Sequence, residues 1–210
     1  MNGFDLKNYH IFFWDFDGVI KRSNQIKVDA FKQLFKDSDC VDKIIEHHIQ
    51  NQGISRYEKI PLYLMISGRD TSKPNVAKYI QEFSDIVVDK VVHSDWIPGV
   101  LQFLEKTSAK VNIIVTGTPQ NEIEMILQQL KLDKQFDYIY GAPHNKTDSI
   151  KNIISSNDIC IKKMIMIGDS MEDFNAAVKN QIDFMLIENE YNSFIDRKKC
   201  MICASDFLDL

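Results

Sequence analysis

The sequence has no long apolar segment, little cysteine and no excess of basic residues. No stretch reaches the roughly 18 apolar residues that a membrane-spanning helix needs, so membrane insertion is not expected. The 30 acidic side chains outnumber the 25 basic ones, for a net charge of -5. Without a basic surface, nucleic acid is not an expected partner. The five prolines are scattered and no internal repeat or low-complexity segment is present, which argues against repeat and linker-rich architectures.

The four cysteines do not form a complete metal-binding set. Cys200 and Cys203 form a C-x-x-C pair, but no second close pair of cysteines or histidines accompanies it, and Cys40 and Cys160 are isolated. We therefore expect reduced cysteines rather than a structural zinc site. The segment MNGFDLKNYH lacks the basic start and apolar core of a signal peptide, so we expect a cytoplasmic location.

Short apolar runs separated by helical stretches predict a buried parallel sheet. Apolar residues make up 44% of the 210 residues, and this length suits one large domain or a domain with an insertion. The runs are bounded by glycine and proline, and their length favours strands over helices. We predict an α/β fold, with a Rossmann-like parallel sheet and flanking helices. The five predicted strands lie in HIFFWDFDG, VNIIVTG, FDYIYGA, KKMIMIG and DFMLIEN.

The segment from residue 23 to residue 93 has a different pattern. Its apolar residues recur at helical spacing, and no alternating strand pattern interrupts them. We predict a small all-α domain of residues 23–93, inserted into an α/β domain formed by residues 1–22 and 94–210. After the insertion, Pro98 and the pair Thr118-Pro119 are typical of helix starts, with Thr118 as the N-cap.

Polar residues of a catalytic type follow four of the predicted strands. Because ligands in such sheets bind beyond the carboxyl ends of the strands, we expect these residues to meet at one edge. Four carboxylates, one hydroxyl and one ammonium would gather there, a set that needs a cation and suits a small dianion such as phosphate. The residues are Asp15, Asp17, Thr116, Lys146, Asp169 and Asp173.

The first two motifs have ordinary structural explanations as well as functional ones. Asp15 and Asp17 are two apart on extended chain, so they share a face, and Gly18 allows a sharp turn after them. Such a pair can divide the roles of nucleophile and acid-base catalyst, but it also ends many strands. Thr116 and Gly117 precede a helix start, which indicates either an anion site or a capped turn.

The other two motifs are ambiguous in the same way. Lys146 lies between a strand and a helix, where it suits phosphate as a point charge or is a solvated lysine. His144 and Lys151 are alternatives within that loop. Asp169 and Asp173 are one helical turn apart and can face the same cation, although acids there also favour the helix dipole. An all-oxygen ligand set indicates Mg²⁺ rather than zinc.

Taken together and in this order, the motifs resemble those of the haloacid dehalogenase superfamily, in its phosphatase branch. DFDGV is similar to the first family motif, the Thr116 region to the second, Lys146 to the third and GDSMED to the fourth. The helical segment falls where members such as phosphoglycolate phosphatase and β-phosphoglucomutase carry an inserted helical cap. The resemblance covers nearly the whole chain.

The resemblance implies a role for each aspartate of the first motif. The residue at Asp15 attacks phosphate and becomes an aspartyl-phosphate. The residue at Asp17 protonates the leaving oxygen and then activates water. Because Asp17 must carry a proton to act as an acid, we expect it to lie in a less cation-dominated setting than Asp15.

The resemblance also implies a cofactor and a phosphate site. Mg²⁺ would be held by the Asp15 carboxylate, the backbone carbonyl of Asp17 and the Asp169 side chain, with Asp173 supporting the site. Lys146 would offset the repulsion between the attacking Asp15 carboxylate and the phosphate dianion. The implied substrate-binding residues are Gly18, Thr116, Gly117 and, from the inserted segment, Arg56.

The leading functional hypothesis is a Mg²⁺-dependent phosphatase for a small phosphorylated metabolite, either a sugar phosphate or a phosphoglycolate-like acid. Asp17 favours phosphoryl transfer over dehalogenation, because dehalogenases of the superfamily lack an acid at its place. One alternative is a phosphosugar mutase of the β-phosphoglucomutase type, although the usual cap histidine is not evident in KRSNQIKVDAF. Another is a catalytically quiet binding or scaffold protein on the same fold. The sequence does not indicate an oligomeric state.

The inserted segment carries weaker signals. Ser55 is typical of an N-cap, with Glu58 completing a capping box. Arg56 could reach a substrate's phosphate or hydroxyls, or be a solvated surface residue. His47 and His48 are most simply packing or surface residues. Arg22 stands where many relatives carry an aspartate, which adds positive charge near the site entrance or points to solvent.

Overall fold

The computed structural model describes residues 5–156 and 158–210, and in these ranges six strands form one parallel sheet in the order β3-β2-β1-β4-β5-β6. The predicted α/β fold class is confirmed. No helix of these ranges is both long and apolar enough to cross a membrane. The strands are β1 (Ile11–Trp14), β2 (Val111–Pro119), β3 (Tyr138–Ala142), β4 (Met164–Gly168), β5 (Asp183–Ile187) and β6 (Ile202–Ala204).

Eight α-helices accompany the sheet in the described ranges. Four of them follow β1 directly, and the other four alternate with the later strands. They are α1 (Asn24–Leu34), α2 (Val41–Gln50), α3 (Arg56–Ile66), α4 (Lys73–His93), α5 (Val100–Lys106), α6 (Gln120–Gln129), α7 (Lys146–Ser155) and α8 (Met171–Asn180).

The strand β6 is absent from the sequence prediction, which had five strands. It has three residues and pairs in parallel with β5 at the edge of the sheet. A run this short carries no measurable periodicity, so its pairing depends on contacts that are remote in sequence. Cys203 of the C-x-x-C pair lies in this strand.

The central strand β1 separates two hydrophobic cores. Its four residues are fully buried, as expected for a parallel strand that is covered on both faces. Phe12 and Trp14 face a core that includes residues of α5 and α6, whereas Ile11 and Phe13 face a core that includes residues of α7 and α8. The alternation of the strand therefore presents large side chains to both layers.

The helices α1 to α4 occupy the range of the predicted insertion and pack on the first of these cores. Phe31, Ile44, Tyr63 and Phe83 belong to the same buried cluster as Trp14. The helical segment therefore shares its apolar core with one face of the sheet. The domain boundaries themselves stay a prediction.

A buried ion pair also joins the helical segment to the α/β part. The Arg56 guanidinium, at the start of α3, donates to both carboxylate oxygens of Glu122 in α6, at 2.6 and 2.9 Å. Both residues are buried, and the Arg56 guanidinium also lies over the ring of Phe83. The planar fork of an arginine suits such bidentate pairing.

Two predicted helix starts differ from the structure. The helix α5 begins at Val100 with Gly99 as its N-cap, so Pro98 precedes the helix. The helix α6 has Pro119 as its N-cap, because β2 continues to Pro119 and pairs it with Ala142. Thr118 therefore stays in the strand.

The predicted N-cap of α3 is found, but not the predicted capping box. The Ser55 hydroxyl accepts a hydrogen bond from the Tyr57 amide at 3.3 Å. Among the contacts of the described residues, Glu58 returns no bond to the cap.

Replacing Arg56 by methionine is expected to destabilise the fold by about 3–5 kcal/mol, because it leaves the Glu122 charge buried without a partner. The double variant Arg56→Met/Glu122→Leu removes both charges and is expected to recover most of that loss. Urea unfolding measures the free energy of unfolding of the single and the double variant. The exposed pair of Lys78 and Glu82 supplies the control, since Lys78→Met should cost less than about 1 kcal/mol. A single variant as stable as the parent would contradict the role of this pair.

Candidate active site

Three distant carboxylates lie together at the carboxyl edge of the sheet. Asp15 follows β1, Asp169 follows β4, and Asp173 lies in the first turn of α8. Their carboxylate oxygens lie within 4.8 Å of one another, and all three residues are buried. The parallel pairing of β1 with β4 explains the arrangement, because it brings the ends of both strands to the same edge.

Lys146 is the cation of this cluster. It is the first residue of α7 and is buried, so it is not a surface lysine. Its Nζ lies 2.8 Å from Asp15 Oδ2 and 2.6 Å from Asp173 Oδ1. Burial lowers the pKa of Lys146, but the two carboxylates outweigh it and raise the pKa above its usual value. The side chain therefore stays charged.

The carboxylates are crowded beyond what one lysine offsets. Burial, with the Asp173 charge adding to it, raises the pKa of Asp15 to about 7. Burial and the charges of Asp15 and Asp173 raise the pKa of Asp169 well above its usual range. Three carboxylates and one ammonium leave two negative charges uncompensated, which is the charge that a divalent cation carries. The donor set therefore fits a hard divalent cation bound through oxygen.

Local hydrogen bonds hold two of the carboxylates in place. Asp173 forms a capping box with Ser170, whose hydroxyl and amide both donate to Asp173 Oδ2, at 2.5 and 3.1 Å. Asp169 Oδ2 accepts from the side-chain amides of Asn24, at 2.6 Å, and Asn189, at 2.8 Å. Hydrogen bonds from the protein itself therefore position the two carboxylates.

Gly18 is required where the chain turns away from the first motif. Its φ of +74° lies in the left-handed region, and a Cβ there would lie 2.0 Å from Asp169 Oδ2. A side chain at this position would push into the carboxylate cluster.

Asp17 lies in a separate network beside the cluster. Its carboxylate accepts from the Ser23 hydroxyl at 2.6 Å and the Thr118 hydroxyl at 3.1 Å, and it pairs closely with the Lys27 ammonium of α1. Burial raises the pKa of Asp17, but the Lys27 charge and the hydrogen bonds outweigh it, so that the pKa is lowered.

Among the protein's own groups, the pKa directions of Asp15 and Asp17 are the reverse of those expected for nucleophile and acid, while the expectation for a metal-bound site stays a prediction. Asp17 is held ionised by Lys27, whereas Asp15 has the raised pKa. The reason is the packing of α1, which places the Lys27 ammonium against the carboxylate of Asp17, ten positions earlier in the chain.

The second motif lies at the end of β2, in contact with the helical segment. Thr116 is buried, and its hydroxyl accepts from the Thr118 amide at 3.3 Å. A Cβ on Gly117 would lie 2.5 Å from the backbone oxygen of Gly53, and one on Gly53 would lie 2.4 Å from Ser170 Oγ. The loop that leads into α3 therefore lies directly against two of the motifs.

A cavity of about 40 Å³ lies between the motif residues and the helical segment. The motif residues Asp15, Asp17 and Asp169 border it, together with Lys27, His48 and Lys59 of the helical segment. At roughly 10–15 Å³ for each water, it has room for about three water molecules. Arg56 also borders the cavity, but its guanidinium is bound to Glu122, so it is neither a surface arginine nor a free ligand. Thr116 and Lys146 border an adjoining cavity.

Sequence analysis missed three residues of the site: Asn24, Lys27 and Asn189. Asn24 and Lys27 are three positions apart on α1, a spacing that puts both on one helix face. Their position directly after the first motif was the available signal. Asn189 follows β5 in a loop, and no pattern distinguished it from a surface residue.

Comparisons with known proteins agree with this geometry. The family described as Haloacid dehalogenase-like hydrolase matches residues 12–187 of the chain. No curated protein matches it significantly. Among solved structures, CbbY from Rhodobacter sphaeroides in complex with phosphate is 14% identical and covers 96% of each chain, with a TM-score of 0.77.

Two further structures are similar at the same level. β-Phosphoglucomutase from Clostridium difficile is 20% identical, covering 95% of this chain and 92% of its own, with a TM-score of 0.75. A predicted phosphoglycolate phosphatase from Haemophilus somnus is 17% identical over 96% of each chain, with a TM-score of 0.73. These likenesses show a shared fold. Because the family match spans most of the sequence, the chain belongs to the haloacid dehalogenase-like hydrolase family.

Proposed function

We propose that this chain is a Mg²⁺-dependent phosphatase, acting in the cytoplasm on a small phosphomonoester through an aspartyl-phosphate on Asp15. The observation that carries the proposal is the meeting of Asp15, Asp169 and Asp173 around Lys146 at the edge of the sheet. A cluster with two uncompensated negative charges suits a site that takes up a divalent cation together with a phosphate. The similar structures named for phosphatases support it at the level of the fold.

In the first step, an oxygen of Asp15 attacks phosphorus, and the bond from phosphorus to the leaving oxygen breaks. Asp17 gives its proton to that oxygen, so the product leaves as an alcohol. Lys146 lies 2.8 Å from Asp15 and offsets part of the repulsion between this carboxylate and the phosphate dianion. Thr116 and the Gly117 amide are proposed to bind the transferring oxygens.

In the second step, Asp17 takes a proton from water, whose oxygen attacks phosphorus and releases Asp15 as a carboxylate. A base must be ionised, and the Lys27 contact keeps Asp17 ionised. The described arrangement therefore suits the second step. For the first step Asp17 needs a proton. When the substrate phosphate also pairs with Lys27, the ammonium stabilises the Asp17 carboxylate less, and protonation of Asp17 is favoured.

The metal would be held by the Asp15 carboxylate, the Asp17 backbone carbonyl and the Asp169 side chain, with Asp173 in support. When bound, Mg²⁺ supplies positive charge that lets these acids stay ionised together and offsets charge on the phosphate. Asn24 and Asn189 orient Asp169 for this task.

The helical segment is proposed to act as a cap, with the predicted domain boundaries at residues 23 and 93. The cavity of about 40 Å³ is too small for a sugar phosphate, so the cap must move away for substrate to enter. Closure then excludes water from the first step. The contact of Gly53 with Gly117 marks where the two parts meet.

Asp15→Asn is expected to remove turnover of p-nitrophenyl phosphate with Mg²⁺, because an amide is not a nucleophile. Asp17→Asn should lower the rate by about 10²–10⁴-fold, the usual contribution of an acid-base group. Phosphate release measures both, and Asp37→Asn, at an exposed position, is the control. A wild-type rate in either variant would refute the role given to that residue. Conversion of β-glucose 1-phosphate without phosphate release would favour the mutase alternative.

Lys27→Met is expected to slow hydrolysis of the aspartyl-phosphate, because Asp17 loses the charge that keeps it ionised. p-Nitrophenol leaves readily, so the first step is affected less. The steady-state rate should fall by roughly tenfold to a hundredfold, and rapid mixing should show a larger initial burst of p-nitrophenol than in the wild type. The exposed Lys32 on the same helix gives the control, Lys32→Met. Unchanged rates without a larger burst would count against this role of Lys27.

A further inference from the structure

A second polar cluster, from the helical segment, borders the cavity, and the proposed hydrolysis does not use it. It consists of His48 on α2, Lys59 on α3 and Gln52 in the turn between these helices. His48 and Lys59 are 4% and 2% exposed, and Lys59 Nζ lies 3.0 Å from His48 Nδ1. We name these three residues the cap cluster.

The Lys59 ammonium lacks an anionic partner. No carboxylate in the described part of the chain forms an ion pair with it, whereas Lys27 and Arg56, which also border the cavity, are both paired. Burial and, after it, the charge of Lys27 lower the pKa of Lys59 to about 7. A buried cation without a counterion is costly and rare in proteins, so the position calls for an explanation.

The cap cluster presents donors without acceptors. When Lys59 is an ammonium, which only donates, His48 Nδ1 accepts from it and the proton of the neutral ring is on Nε2. Neither His48 Nε2 nor Gln52 Nε2 has a hydrogen-bond partner among the described residues. Buried donors are nearly always satisfied, so these N–H groups and the free donors of Lys59 indicate a missing acceptor.

A missing group of this kind must accept several hydrogen bonds and carry negative charge. A hydroxyl donates as well as accepts and has no charge, so it matches the cluster less well than an oxyanion. Arg56 is already bound to Glu122 and Lys27 to Asp17. Lys59 is therefore the cation left for a ligand. Phe31, whose ring lies 4.7 Å from that of His48, and Phe83 give the cavity apolar walls, which strengthen a charge pair.

We infer that His48, Gln52 and Lys59 form a subsite for an oxyanion on the leaving group of the substrate, a carboxylate or a second phosphate. The inference rests on the proposed phosphatase function and narrows it. The preferred substrates are phosphomonoesters whose alcohol carries its own acidic group. The cluster borders the same cavity as Asp15 and Asp17, so a substrate that enters when the cap moves away contacts both groups.

The test compares the wild type with Lys59→Met on four esters. Phosphoglycolate carries a carboxylate, glucose 1,6-bisphosphate carries a second phosphate, and glycerol 3-phosphate and p-nitrophenyl phosphate carry neither. The wild type should prefer one of the first two, which identifies the oxyanion. Lys59→Met should lower kcat/KM for that ester by about thirtyfold or more, mainly through KM, as loss of a buried charge partner does. It should change kcat/KM for glycerol 3-phosphate and p-nitrophenyl phosphate, whose alcohols carry no acidic group, by less than about threefold.

Lys59→Met is expected to fold, because it removes an unpaired buried charge and keeps the apolar stem, so its Tm should equal or exceed that of the wild type. An equal loss on all four esters would overturn the subsite, and so would a wild type that hydrolyses all four with similar kcat/KM.

The Asp15→Asn background separates binding from turnover. Calorimetry on this unreactive variant, with and without Lys59→Met, measures the affinity for phosphoglycolate, for glucose 1,6-bisphosphate and for methyl phosphate. A loss confined to an acidic ester supports the subsite even where no ester is hydrolysed, in which case only the proposed function fails. Equal affinities in the two variants for all three esters overturn the subsite.

Discussion

The site depends on the repulsion among three buried carboxylates that one buried lysine only partly offsets. Asp15, Asp169 and Asp173 come from two strand ends and a helix, and Lys146 contacts two of them. Protein groups alone do not balance this charge, since the pKa values of Asp15 and Asp169 are raised. Protons or a divalent cation must complete it. The parallel sheet brings the acids together, and a divalent cation bound among them would also offset the charge of a phosphate.

The helical segment contributes directly to the electrostatics of the site. Through Lys27 it sets the charge state of Asp17, and through the loop at Gly53 it lies against the second and fourth motifs. It is also attached to α6 by the ion pair of Arg56, which borders the cavity, with Glu122. One movement of the segment would therefore change access to the cavity and the ionisation of Asp17 together.

The sequence predicted the sheet and the acidic edge well because both follow from local patterns. Apolar runs and the polar residues after them identify strand ends, and parallel strand ends share an edge. Contacts made by docking were not predictable. No local pattern indicates that Arg56 pairs with Glu122, or that Lys27 reaches Asp17 and lowers its pKa. The strand β6 was missed because three residues are too few for a periodic signal.

Calorimetric titration with Mg²⁺ tests the central point most directly, because it asks whether the acidic cluster is completed by a divalent cation. The account predicts one Mg²⁺ per chain, with protons released on binding as Asp15 and Asp169 ionise. Asp169→Asn should weaken binding by at least about tenfold, while Asp37→Asn should leave it unchanged. Absence of binding, or equal affinity in the wild type and Asp169→Asn, would contradict the account.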